Sequence, residues 1–172
     1  ENILCWHAAF SSTLIYTLLF WQVSLPMQSA LNAYYMAMAF YGWWQWKKGG
    51  VTHDGIHIHR WRGGRHLWVI AGLLALSALS GWYLDNHTDT HWPYISSLTT
   101  WGSVLATWMV AHKVLESWLY WLVIDLAAII IYIESELYST VGLFVIYIVI
   151  AIIAHFQWLE RYRLQGAGSN ND

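Results

Sequence analysis

Asp125 lies in the middle of an apolar stretch over residues 117–134. An ionisable group inside such a stretch is costly and usually functional. Trp118, Trp121 and Asp125 stand at i, i+3 and i+7, which puts them on one helix face, and Tyr132 continues the stripe. A carboxylate flanked by two indoles suits a cationic aromatic ring, through charge pairing and cation–π contact. The competing reading is an Asp hydrogen-bonded to Ser, Thr or Tyr for helix packing, with the indoles as core. Asn32 occupies the middle of a second stretch, 26–46, with Tyr35 one turn on. Its amide can both donate to and accept from a carboxamide or hydroxyl. It can equally serve as interhelical glue. Ser11, Ser12 and Thr13 stand at the corresponding depth of residues 2–22.

Other groups offer less. His7, His112 and His155 fall near span ends, where a haem, metal or proton site competes with ordinary interfacial hydrogen bonding. A membrane-embedded haem or redox protein is therefore the alternative of another class. His53, Asp54, His57 and His59 lack the regular spacing of a structural zinc site, and a flexible polar loop is expected there. No P-loop or Gly-x-Ser-x-Gly elbow is present, so neither an ATP-driven pump nor a hydrolase is expected. The reading is of a non-enzyme with no catalytic residue, no metal and no cofactor. Cys5 is the single cysteine, which excludes an internal disulfide.

The elements that must position these residues are membrane helices. The 172-residue chain is 58% hydrophobic and 10% charged, with 14 Trp. A soluble domain carries roughly 25% charged residues. Stretches approaching the roughly 20 residues a span needs recur six times, at 2–22, 26–46, 66–84, 97–112, 117–134 and 138–159. The fourth is short and polar, which predicts a place inside the bundle. All 8 Lys and Arg sit in the 47–65 loop, at Lys113, or in the tail at Arg161 and Arg163. Six crossings put all three places on one side, cytoplasmic by the positive-inside rule. Asp85, Asp89, Glu134 and Glu136 fall opposite; the last two flank the end of the fifth span, as a solvated face or a lure for a cation. Net charge of −2 and the lack of a basic tract give no sign of nucleic acid.

The chain also repeats itself. Glu1-Asn2-Ile3-Leu4-Cys5-Trp6 is echoed by Glu116-Ser117-Trp118-Leu119-Tyr120-Trp121, and Trp44-Gln45-Trp46 by Phe156-Gln157-Trp158. The offset is 115 at the front (121 − 6) and 112 at the back (158 − 46), which predicts a three-residue difference in one connection. Tyr35 then matches Tyr147, adding Tyr147 to the candidate site. Parallel repeats in a membrane are a carrier architecture, with substrate held near the midplane. Because a helix precedes Glu116, the repeat predicts one upstream of Glu1. The expected fold is an all-α membrane protein of parallel three-helix repeats joined by a linker helix, 3+1+3, with six helices here and the first missing. Expected divisions are a first repeat (1–48), a loop and linker-helix region (49–92), a second repeat (93–160) and a disordered cytoplasmic tail (161–172).

The segments Leu31-Asn32-Ala33-Tyr34-Tyr35, Tyr41-Gly42-Trp43-Trp44-Gln45-Trp46, Glu116 to Trp121 with Asp125, and Leu137-Tyr138 resemble the PnuC family of bacterial vitamin transporters. The resemblance spans nearly the whole chain outside the 49–65 loop and the tail. It implies seven helices, a homotrimer in the inner membrane, and uptake of nicotinamide riboside by facilitated diffusion, with a cytosolic kinase trapping the vitamin. Relatives carry thiamine or riboflavin. The resemblance implies substrate contact at Asn32 and Asp125; many members have Gln and Asn at these two positions, a departure that leaves the identity of the vitamin open.

Overall fold

A computed structural model describes residues 4–22, 26–48, 56–89 and 92–168. Six α-helices lie among them: α1 (Leu4–Gln22), α2 (Pro26–Lys48), α3 (Gly63–His87), α4 (Pro93–Ala111), α5 (Ser117–Glu134) and α6 (Tyr138–Gly168). They coincide with the six apolar stretches, and the protein is all-helical as expected. Pro26 and Pro93 open α2 and α4, where the missing N–H has no intrahelical partner to lose. α5 closes on Glu136 in the left-handed region (φ 57°). There Leu137 N donates to Tyr132 O (2.9 Å) and Glu136 N to Ile133 O (3.0 Å), the paired bonds that satisfy a helix end.

α6 runs past the expected end of its span, so residues 161–168 are helical rather than a disordered tail. Leu159 to Gln165 are nearly all good helix formers, and no proline stops propagation, which adds one hydrogen bond per residue. Residues 169–172 lie outside the described residues, as do His53 and Asp54. His57 and His59 do not belong to a loose loop. Between them Ile58 is only 3% exposed, and the His59 carbonyl accepts Leu115 N at 3.0 Å.

Among the described residues three helices are long and apolar enough to cross a membrane on length and composition alone: Gly63–His87, Ser117–Glu134 and Tyr138–Gln165. Their large side chains stay outside. Trp68 is 79% exposed, Leu79 68% and Val123 62%. In water this surface would be an aggregation liability; against acyl chains it costs nothing.

The chain forms two compact units. The first holds Glu1–His57 and Thr107–Lys113, the second Ile58–Ala106 and Val114–Asp172. In the first, Trp6, Met38, Ala39 and Ala111 form the core. The Trp6 indole packs against Gly42, and a Cβ there would come within 2.4 Å of the ring. In the second unit α3 meets α4 where a Cβ on Gly81 would come within 2.9 Å of Tyr94 Cα. Trp101 Nε1 donates to Ser80 Oγ at 3.0 Å across the same pair. α5 and α6 form a hairpin pinned by Trp118 against Trp158 at one end and Tyr132 against Phe144 at the other.

The two hairpins repeat the same joint. Trp6 meets Trp46 edge-on at 5.2 Å and 89°; Trp118 meets Trp158 at 5.3 Å and 89°. Both tryptophans are therefore displaced by 112 residues (118 − 6 and 158 − 46). The helix boundaries agree: Gln22 maps onto Glu134 and Pro26 onto Tyr138. This corrects the expected three-residue difference. Trp6 is the counterpart of Trp118, not of Trp121. The two Trp-rich openings can be slid by one helical turn without losing their aromatic match, so letters alone mislead there.

Candidate functional site

The second unit carries the acidic face. Asp125 is 3% exposed, and no hydrogen bond or ion pair reaches it from the described residues. The two ring contacts fix the register of the α5–α6 hairpin and put Asp125 level with Ala151, itself 3% exposed. A small residue opposite the carboxylate leaves room beside it. The alternative reading, an Asp fastened to a neighbouring hydroxyl for packing, finds no such hydroxyl among the described residues. A carboxylate withdrawn from water and left unpaired is expensive unless something else compensates it.

Two turns along α5, toward the basic end, other polar atoms are in the same condition. Ser117 Oγ, Trp118 Nε1 and, on α6, His155 Nδ1 are buried without a partner among the described residues. His155 lies one turn before Trp158, whose ring meets Trp118. A hydroxyl, an indole N–H and an imidazole thus line the stretch approaching the carboxylate, a set able to bond ribose hydroxyls or a carboxamide. Trp121 is half-buried on the turn between Trp118 and Asp125. The sequence offers His155 only as one of three histidines near span ends, interfacial or part of a haem, metal or proton site. The spacing His155-x-x-Trp158 at the close of the repeat is the signal that would have marked it.

Tyr147 is 43% exposed and joins Phe144, not the Trp118 end of the hairpin. Asn32 and Tyr35 belong to the first unit, both half-buried on α2, with the Tyr35 ring against Tyr34 at 5.7 Å. In that unit a polar relay is complete. Gln45 Nε2 donates to Tyr41 Oη at 2.7 Å, Tyr41 Oη to His112 Nε2 at 2.9 Å, and His112 Nδ1 to Trp108 O at 2.9 Å. Both ring nitrogens of His112 are thereby used. His7 packs edge-on against Trp43. Among the described residues no three His, Cys, Asp or Glu side chains converge as a metal site would require.

Glu116 closes the basic end of the second unit. It is 8% exposed, accepts Arg60 Nε at 2.9 Å and Trp61 N at 3.3 Å. These bonds tie the segment before α3 to the start of α5, where Trp118 stands. In the sequence Glu116 stands out only as the opening residue of the repeat and of a segment that carries the family resemblance.

With this geometry in place, comparison decides the family. The profile described as nicotinamide mononucleotide transporter matches residues 1–160. The chain belongs to this family. It is similar to the riboflavin/roseoflavin transporter RibM of Streptomyces davaonensis, with 29% identity over 104 residues, 57% of this chain and 47% of RibM. The match thus spans about half the length of that relative. The crystal structure of the vitamin B3 transporter PnuC superposes with a TM-score of 0.69 at 16% identity, covering 94% of this chain and 73% of that one. At that identity the likeness establishes the shared fold. Family and structural neighbour are transporters rather than enzymes, and the chain is a multi-pass helical membrane protein.

Proposed function

We propose that this chain is a membrane carrier for a cationic B-vitamin, most simply nicotinamide riboside, with thiamine as the second candidate. The observation that carries this is the buried, unpaired Asp125 on the Trp118–Trp121 face. A permeant cation must shed water inside the membrane, and a carboxylate with indole faces offsets that loss. The unphosphorylated riboside fits better than the mononucleotide. Among the described residues every Lys and Arg stands in the terminal two turns or so of a helix or outside the helices, none near the level of Asp125, so no deep cation would meet a phosphate, and Asp125 would repel it. Tyr147, on the same hairpin as Asp125, is a further proposed substrate contact, and Asn32 and Tyr35 are the substrate contacts proposed for the first unit. Movement is by facilitated diffusion, with a cytosolic kinase trapping the vitamin. The protein acts as a homotrimer in a bacterial inner membrane.

Counterflow in proteoliposomes tests the carrier. Vesicles preloaded with unlabelled nicotinamide riboside should accumulate labelled riboside transiently above the external level. Equilibration without overshoot would mean a channel, and none at all would remove this vitamin from consideration.

Topology gives a second prediction. The C-terminal end of α6 should face the cytoplasm, because Arg161 and Arg163 lie there. With Cys5→Ser removing the native thiol, Arg163→Cys should resist an impermeant maleimide in intact cells and react after permeabilisation. Reaction in intact cells would invert the orientation.

A further inference from the structure

A groove of about 290 Å³ runs between α3, α4 and α5 in the second unit. Ile70, Leu74, Leu98, Val123 and Ile124 line it, Gly102 forms part of its wall, and Tyr120 is its one hydroxyl-bearing lining residue. That hydroxyl bonds His66 Nδ1 at 2.8 Å, so the groove ends at the start of α3. There the charge changes abruptly. Arg62 and Arg65 are both exposed, and neither has a carboxylate partner among the described residues. Arg65 lies over the Trp61 ring at 5.1 Å, an arrangement suited to a headgroup layer. Glu116, the carboxylate that bonds Trp61 N, is held by Arg60.

We propose that this groove holds an acyl chain of an anionic phospholipid, with the headgroup phosphate on Arg62 and Arg65. The geometry suits a molecule charged at one end and apolar beyond it. At 1.5 Å per helical residue, Leu74 lies roughly 13 Å along α3 from Arg65, the reach from a headgroup into the acyl region. A free phosphate would use the arginines and leave the groove uncovered. A second copy of the chain would have to bring acidic groups to the arginines. Of the described acidic residues of this unit, Asp85, Asp89, Glu134 and Glu136 stand at the opposite end, Asp125 is buried within α5, Glu116 is held by Arg60, and Glu160 alone is exposed at the basic end, beside Arg161 and Arg163 of its own helix. Bound there, the lipid would lie against the face of α5 that backs the Trp118–Asp125 stripe, because Leu119 and Val123 line the groove. It would also brace the segment that Glu116 holds.

Native mass spectrometry of the full chain in neutral detergent, offered equal phosphatidylglycerol and phosphatidylcholine, tests this directly. Phosphatidylglycerol should be retained preferentially, and excess inorganic phosphate should not displace it. Arg62→Gln with Arg65→Gln should cut that preference roughly ten- to thirty-fold, the scale of two basic side chains at a membrane surface. Val123→Trp or Leu74→Trp should lower retention of both lipids by filling the groove, while Leu126→Trp, exposed on α5 but outside it, should not. Equal retention of the two lipids by the wild type would overturn the proposal, as would a preference that survives the double arginine change. Displacement by phosphate would assign the arginines to a free anion instead. If Val123→Trp and Leu74→Trp leave lipid retention intact but change the number of subunits, the groove is an interface between copies.

Discussion

Asp125→Asn should weaken binding of nicotinamide riboside by about 1–3 kcal/mol, roughly five- to 150-fold, while riboflavin binding changes little. The substitution keeps the shape of the side chain and its capacity to bond, and removes only the charge. In the structure that carboxyl is 3% exposed and has no partner among the described residues, and in the proposed function the cationic ring is the partner. Trp118→Ala belongs beside it. Its ring meets Trp158 at 5.3 Å, so its loss removes both an aromatic face from the site and a pin from the hairpin. Binding should fall for every vitamin, and thermal stability in detergent should fall too. Isothermal titration with both vitamins, on both variants, separates the charge from the stacking. If Asp125→Asn binds the riboside like wild type, charge pairing is not how this site recognises its ligand.

The second large effect is structural. Gly42→Leu should destabilise the first unit by at least the 1–3 kcal/mol typical of overpacking. Three ring atoms of Trp6 lie 2.4 to 2.7 Å from where even a Cβ would sit. Trp6 is 7% exposed at the centre of its cluster, so it has little room to withdraw. The apparent melting temperature in detergent should drop by several degrees. Gly142→Leu, in α6 with open space around it, is the control and should be nearly silent. An unchanged melting temperature for Gly42→Leu would mean that Trp6 does not rest on this helix.

How much of this the sequence disclosed depends on the kind of signal. Apolar length placed all six helices, because a membrane demands about 20 apolar residues whatever their identity. It could not find where α6 stops, since nothing in Arg161 to Leu164 breaks a helix. Asp125 was legible because an acid deep in an apolar run is rare. His155 was not, because a histidine near a span end is common; only the burial of Nδ1 without a partner sets it apart. Ile58 and Glu116 were hidden for another reason. The segment 56–62 before α3, with one buried Ile, has no periodicity, and its fastening to Glu116 is a contact across 56 residues. The alignment of the repeat failed at its front because a Trp-x-x-Trp pattern matches itself after one turn. Two edge-on ring pairs with the same 89° angle restored it.

The most direct test of the account is one titration of the purified full chain, read through quenching of its 14 tryptophans. Nicotinamide riboside, thiamine, riboflavin and nicotinamide mononucleotide are compared at a pH where Asp125 is ionised. The account predicts saturable binding that is tightest for a cationic, unphosphorylated vitamin, with the riboside ahead of the mononucleotide. Tight binding of riboflavin or of the mononucleotide, with neither the riboside nor thiamine bound, would contradict it.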